Sequence, residues 1–343
     1  MTTAKDYYYF TNVAPDEAGK NYQQAHQAYI YEGYPDAKNI INHIPNLSND
    51  ILLEDYMANF ISAVPQEIGA RLSNMFVAKI NKFSANACAV HAKEQYEGDL
   101  IYFYVGLSDL LCQYAILFEE FREAIRNDLP DPERENSLAI FFGDLEKISE
   151  AQIDWGINWN EIEFKDETVL KPPAHLEAQA VGIACLMDKV VLSHEIAHHL
   201  LGHTGVNKNL EHLIKDRIDP LIANDVNNQH RREIEADLLG LALPLWNTFG
   251  NTSNQTKFEV AISALLVHTV LSHLKSDIDY ESKSHPSARM RYEHVCRFIK
   301  EYLQMPEIDS LIHDVEKFQI FLSATQDRGI GVIALSKALD KIK

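Results

Sequence analysis

The chain has 343 residues and a formal net charge of -19, with 46% hydrophobic and 24% charged side chains. That much apolar material supports a packed core and excludes wholesale disorder. The acidity argues against nucleic acid or an anionic membrane as a partner, because both are bound through basic surface.

The first residues, Met1 to Tyr7, lack a basic segment leading into an apolar one, so no secretory signal is expected. Tyr7-Tyr8-Tyr9-Phe10 reads as an edge strand or a docking arm. From Asp50 to Ile80 apolar residues recur at helical spacing, as in Leu53, Tyr56, Met57, Phe60 and Ile61. Residues 1–79 are therefore expected to form an N-terminal helical region. Asn86 to Val90 is small and apolar, and the aromatic, β-branched run from Asp99 to Val105 predicts a strand. A helix is expected from Leu107 to Ile125. The breaker cluster Asn127 to Pro132 opens an insertion, about 127–175, with little regular periodicity.

His175 to Leu201 reads as helix, with Gly202 where a C-terminal glycine belongs. Residues 204–229 are polar and loop-like. Further helices are expected over Arg231–Leu245, Phe258–Leu274, Met290–Leu303 and Leu311–Lys343, the last broken by Gly329 and Gly331. The unit from 80 to 300 is expected to be the functional core, and 301–343 a C-terminal helical extension. The apolar run Ile101–Phe118 is interrupted by Ser108, Asp109 and Gln113, and Val260–Leu271 is short, so no membrane insertion is expected. The four cysteines (Cys88, Cys112, Cys185, Cys296) are far apart, with no C-x-x-C. They fit reduced thiols in a cytoplasmic protein.

One stretch carries chemistry: His194-Glu195-Ile196-Ala197-His198, an H-E-x-x-H sequence. On a helix its two histidines share a face one turn apart and can aim at one metal ion, with Glu195 beside them as a general base. With 15 histidines in the chain the motif needs context. A catalytic zinc normally takes three protein ligands and a water. The metzincin extension fails, because its glycine and third histidine positions hold Leu201 and Thr204. Arg231-Arg232-Glu233-Ile234-Glu235-Ala236-Asp237 offers the alternative: Glu233 as third ligand, and Asp237, one turn on, fixing the ring of a ligand histidine, most simply His194. Glu235 lies about 200° from Glu233 on a helical wheel and is expected in salt bridges or solvent. His203 is expected only to favour the helix C-terminal dipole. His199 falls off the ligand face, and His268 and His273 read as core residues. His175, His212 and His230 have no motif around them.

With these elements in place, the chain resembles the gluzincin metallopeptidases, most closely the CAAX-prenyl-endopeptidase and HtpX-type family. The motifs that carry the resemblance are Asn86-Ala87-Cys88-Ala89, Val105-Gly106-Leu107, His194 to His198, Glu233 to Asp237, and Ser284-His285-Pro286-Ser287 with Arg291. They span about residues 80–295 in the family's order. Weaker similarity links Glu233 to Asp237 and Pro244 to the ImmA/IrrE regulatory peptidases, and H-E-x-x-H alone to Lit-type phage-exclusion peptidases. The resemblance implies an α+β, mostly helical fold. A gluzincin-like core would pack a small sheet on the active-site helix, with extra helices at both termini. It also implies that His285 lies near the site and helps hold the substrate oxyanion, with Arg291 in support. A peptide or protein substrate would add a strand to the sheet edge.

The expected function is a zinc-dependent metalloendopeptidase with one zinc ion, held by His194, His198 and Glu233, and Glu195 as base. Two alternatives remain open: a regulatory or phage-defence peptidase with a single protein target, and a catalytically silent, zinc-stapled interaction module.

Overall fold

The computed structural model describes residues 2–11, 47–93, 96–126, 131–157, 169–205, 222, 226–248, 253–274, 279, 281–283, 285–305 and 307–326. Its elements in chain order are β1 (Thr2–Thr3), α1 (Ala4–Thr11), α2 (Ile51–Ala63), α3 (Gln66–Leu72), β2 (Met75–Ile80), β3 (Ala87–His91), β4 (Tyr96–Glu97) and β5 (Asp99–Tyr104). There follow α4 (Val105–Ala124), α5 (Asp131–Ile157), α6 (Glu177–Leu200), α7 (Asn228–Ala242), α8 (Asn254–Leu274), α9 (Ala288–Phe298) and α10 (Ile308–Gln326). The chain is mostly helical with a small sheet, an α+β fold.

The sheet has the order β2-β5-β3, with β2 parallel and β3 antiparallel to the central β5. Phe76 and Ala78 face one side of β2 and Met75 and Val77 the other, and all four are buried. A strand covered on both faces shows no polar alternation. That is why Met75–Ile80 reads as part of a helical stretch in the sequence, and why a boundary at residue 79 cuts through a strand. One face of the sheet packs on the main helical core. The other is covered by α1, whose Tyr8 and Tyr9 pack against Phe76. The tyrosine-rich N-terminal stretch is thus a helix rather than an edge strand.

Where an insertion of little periodicity was expected, α5 runs through Asp131–Ile157 as helix, with Phe141, Phe142, Leu145 and Ile148 in the core. The C-terminal α10 puts Phe318 and Phe321 against Phe121 of α4, so it belongs to the same core as the site-bearing helices. His212 and the break expected at Gly329 and Gly331 lie outside the described residues.

The run Ile101–Phe118 is divided between β5 and α4. Among the described residues one helix, α8, is long and apolar enough to cross a membrane, and most of it is buried within the fold, as in a core helix.

The site-bearing helix α6 is central and packs on α4, α7 and α8. Asn227 caps α7, accepting from the N–H groups of Gln229 and His230 at 3.0 and 2.9 Å. At the crossing of α6 and α7, Gly240 lies so close to His194 that a β-carbon there would sit 3.0 Å from the His194 backbone nitrogen. A glycine at this point lets α7 bring its acids up to the histidines.

Candidate metal centre

His194 and His198 lie on α6 as the motif requires, and their Nε2 atoms face each other at 3.0 Å. Glu233 of α7 joins them: its Oε2 is 3.7 Å from His194 Nε2 and its Oε1 3.7 Å from His198 Nε2. The three form a group that can hold a metal ion. The donor chemistry fits a divalent cation of borderline softness, namely two imidazole nitrogens and one carboxylate. Two lone pairs aimed at each other across 3.0 Å repel unless a cation or a proton lies between them.

Asp237, one turn beyond Glu233, faces His194 Nδ1 with its Oδ1 at 2.9 Å, as its spacing predicts. Arg291 of α9 grips the same carboxylate with two bonds, Nε to Oδ2 at 2.8 Å and Nη2 to Oδ1 at 2.6 Å. Burial works against the Asp237 charge, yet Arg291 and then His268, with the contact to His194, hold the carboxyl well below the usual range. Asp237 is therefore a fixed anion beside His194 Nδ1, and the Nε2 of that ring is left facing His198 and Glu233. The same contact raises the pKa of His194 against the lowering by burial. Burial, with His194 and His203 close by, takes His198 well below its ordinary value. His268 lies 3.7 Å from Asp237, and burial lowers it to about 4, so it is a neutral core residue behind the site.

Glu195 is 8% exposed and is not in the ligand group. Burial raises its pKa, with Glu233 adding to the rise and His194 and the backbone N–H of Ala89 in β3 opposing it. The position of Ala89 is telling. Asn86 C=O accepts from Tyr104 N–H, and Ala92 N–H donates to Gly98 C=O. By the alternation of an antiparallel ladder, the N–H groups of Ala87, Ala89 and His91 then point away from β5. Among the described residues no strand pairs with that outer edge.

His285 stands at the rim, with its side chain 51% exposed and its Nε2 4.0 Å from Glu233 Oε1. Arg291 serves Asp237, with its Nη1 a further 3.9 Å from Glu233. His199 is fully buried. It donates from Nε2 to the Leu100 carbonyl at 3.1 Å and sets Nδ1 3.3 Å from Asp99, tying α6 to the sheet. His230 bonds the Ser282 carbonyl, and His273 bonds Tyr114.

Glu235 is buried, 3% exposed, and takes up the salt-bridge part of its expectation, with Oε1 2.9 Å from Arg231 Nε. One residue differs from expectation. His203 does not simply trail the helix: its Nδ1 lies 3.0 Å from His198 Nδ1 and its Nε2 3.2 Å from Glu235 Oε2. A histidine five residues after a ligand, just beyond a helix-ending glycine, was the available signal for this contact.

Comparison of the chain with protein-family models, curated proteins and solved structures gives no match.

Proposed function

We propose that the chain is a cytoplasmic zinc-dependent metalloendopeptidase of gluzincin type, resembling the CAAX-prenyl-endopeptidase and HtpX-type enzymes. The observation that carries the reading is the convergence of His194, His198 and Glu233 from two helices, with the unligated carboxylate of Glu195 beside them. A structural zinc site has no use for such a carboxylate, whereas a hydrolytic one needs it. When bound, zinc supplies Lewis acidity toward water and toward the scissile carbonyl.

The residues of the chain do the rest. Glu195 takes a proton from the attacking water and returns it to the leaving amine. Its raised pKa, caused chiefly by burial, makes it a better proton acceptor than a solvated carboxylate. An extended peptide is bound along the outer edge of β3, where outward backbone groups accept a further strand. This lays the scissile bond beside Glu195, whose charged form the Ala89 backbone N–H favours. His285 on the rim donates to the substrate oxyanion. Asp237 and Arg291 take no part in proton transfer and hold His194 in place.

Substitution Glu195→Gln tests the reading. The variant is expected to keep one zinc per chain by elemental analysis and to lose peptide cleavage, measured on casein and on a peptide library. A variant that still cleaves at the wild-type rate overturns the role of Glu195. Wild-type protein that holds zinc yet leaves casein intact points instead to a single protein target.

A further inference from the structure

Among the described residues no acid pairs with the outer nitrogen of His198, Nδ1, and the structure supplies one through an intermediary. We infer that His203 is a positioning residue for His198, linking it to Glu235 in a relay that fixes the ring and its tautomer for metal binding. This rests on the metal-site reading above.

The placement follows from how α6 ends. Gly202 has φ 69°, its N–H bonds the His199 carbonyl, and the N–H of His203 bonds the His198 carbonyl at 2.9 Å. This is the paired bonding of a Schellman turn, which needs a left-handed residue that glycine adopts without strain. The reversal carries His203 back over the last turn and sets its ring against that of His198, with centroids 5.1 Å apart.

The proton positions then follow one by one. His198 must offer a bare Nε2 to a metal, so its proton sits on Nδ1 and is donated to His203 Nδ1 at 3.0 Å. His203 therefore carries its proton on Nε2 and donates it to Glu235 Oε2 at 3.2 Å. The other oxygen of Glu235 accepts from Arg231 Nε at 2.9 Å. Each donor in the series meets an acceptor. A histidine present only for the helix dipole would leave its ring in water, yet the His203 side chain is 9% exposed. Helix α7 thus contributes three acids at alternate positions: Glu233 to the metal position, Asp237 to His194 directly, and Glu235 to His198 through His203.

The test is the zinc affinity of the full-length chain, measured by chelator competition, with the visible spectrum of the cobalt(II) form as a second readout. His203→Phe keeps a ring and removes both nitrogens, whereas His203→Gln keeps an acceptor and a donor. We expect His203→Phe to weaken zinc binding by about 10–100-fold and to alter the cobalt spectrum, with His203→Gln within about threefold of wild type. Wild-type affinity in the Phe variant, or an equal loss in both, overturns the relay. If the Phe variant does not fold, Glu235→Ala, which strips the acceptor from His203, carries the same expectation and the same refutation. A wild-type chain that binds no zinc overturns the metal-site reading itself, a result distinct from either.

Discussion

The approach of α7 to α6 at Gly240 makes a sharp prediction about two alanines. A β-carbon on Gly240 would meet the His194 backbone nitrogen at 3.0 Å, the His194 Cα at 3.2 Å and the Ser193 carbonyl carbon at 3.2 Å. All three are backbone atoms of a buried helix, so relief requires the two helices to separate by a few tenths of an ångström. Gly182, earlier on α6, has nothing within 4 Å of the same added carbon. Both sites gain about 1 kcal/mol of helix propensity from Gly→Ala, but only Gly240 meets an overpacking cost of about 1–3 kcal/mol. Gly182→Ala should therefore stabilise the chain, while Gly240→Ala should fall below it by about 1–3 kcal/mol. Urea unfolding of both variants, with chelator present to remove any contribution from metal, reads this difference. Asp237 and Glu233 lie three and seven residues before Gly240, on the side facing the histidines, so Gly240→Ala should also weaken zinc binding and Gly182→Ala should not. Equal stabilisation by the two alanines would refute the close crossing and the site geometry built on it.

Further outcomes follow from the buried charges. Arg291→Met leaves Asp237 without its guanidinium, and removing one partner of such a pair costs about 3–5 kcal/mol in urea unfolding. Arg291→Lys should recover only part of this, because an ammonium cannot make the two-pronged contact. A loss near zero in the Met variant would contradict the pairing. Glu120 of α4 is 2% exposed, and burial, with Asp144 of α5 adding, pushes its carboxyl up to about 8. In the unfolded chain it titrates near the ordinary value, so folding takes up a proton between those limits. Stability from this group is intact below about pH 4.5 and falls as pH rises through about 8. Thermal melts should show this decline in wild type and a flatter profile in Glu120→Gln; identical slopes would contradict it. Zinc at a hundredfold excess over its Kd should stabilise the wild type by about 2.7 kcal/mol and leave His194→Ala unchanged.

Much of the site was legible because helical spacing alone relates His194 to His198 and Glu233 to Asp237. The structure brings all four together. The relay was not legible. Angular separation from Glu233 says that Glu235 points away from the metal position, but not what lies on that side. Helix α7 is enclosed, with Ile234, Glu235, Ala236, Asp237 and Leu238 all buried, so a residue off the ligand face meets protein rather than water. His203 was missed because its neighbour is set by the chain reversal at Gly202, a tertiary consequence of a turn recognised only as a helix end. In the fold, β5 announced itself through its aromatic and β-branched residues. Buried on both faces, β2 lost the period-two pattern that marks a half-exposed strand. Helix α5 places Phe141, Phe142, Leu145 and Ile148 at helical intervals amid many polar residues, which diluted the signal.

Anomalous scattering at the zinc edge from crystals of the full chain tests the central claim most directly. The account predicts one peak per chain, about 2.0–2.2 Å from His194 Nε2, His198 Nε2 and a Glu233 oxygen. A peak elsewhere, or one with Glu233 turned away and no other residue in its place, would contradict it.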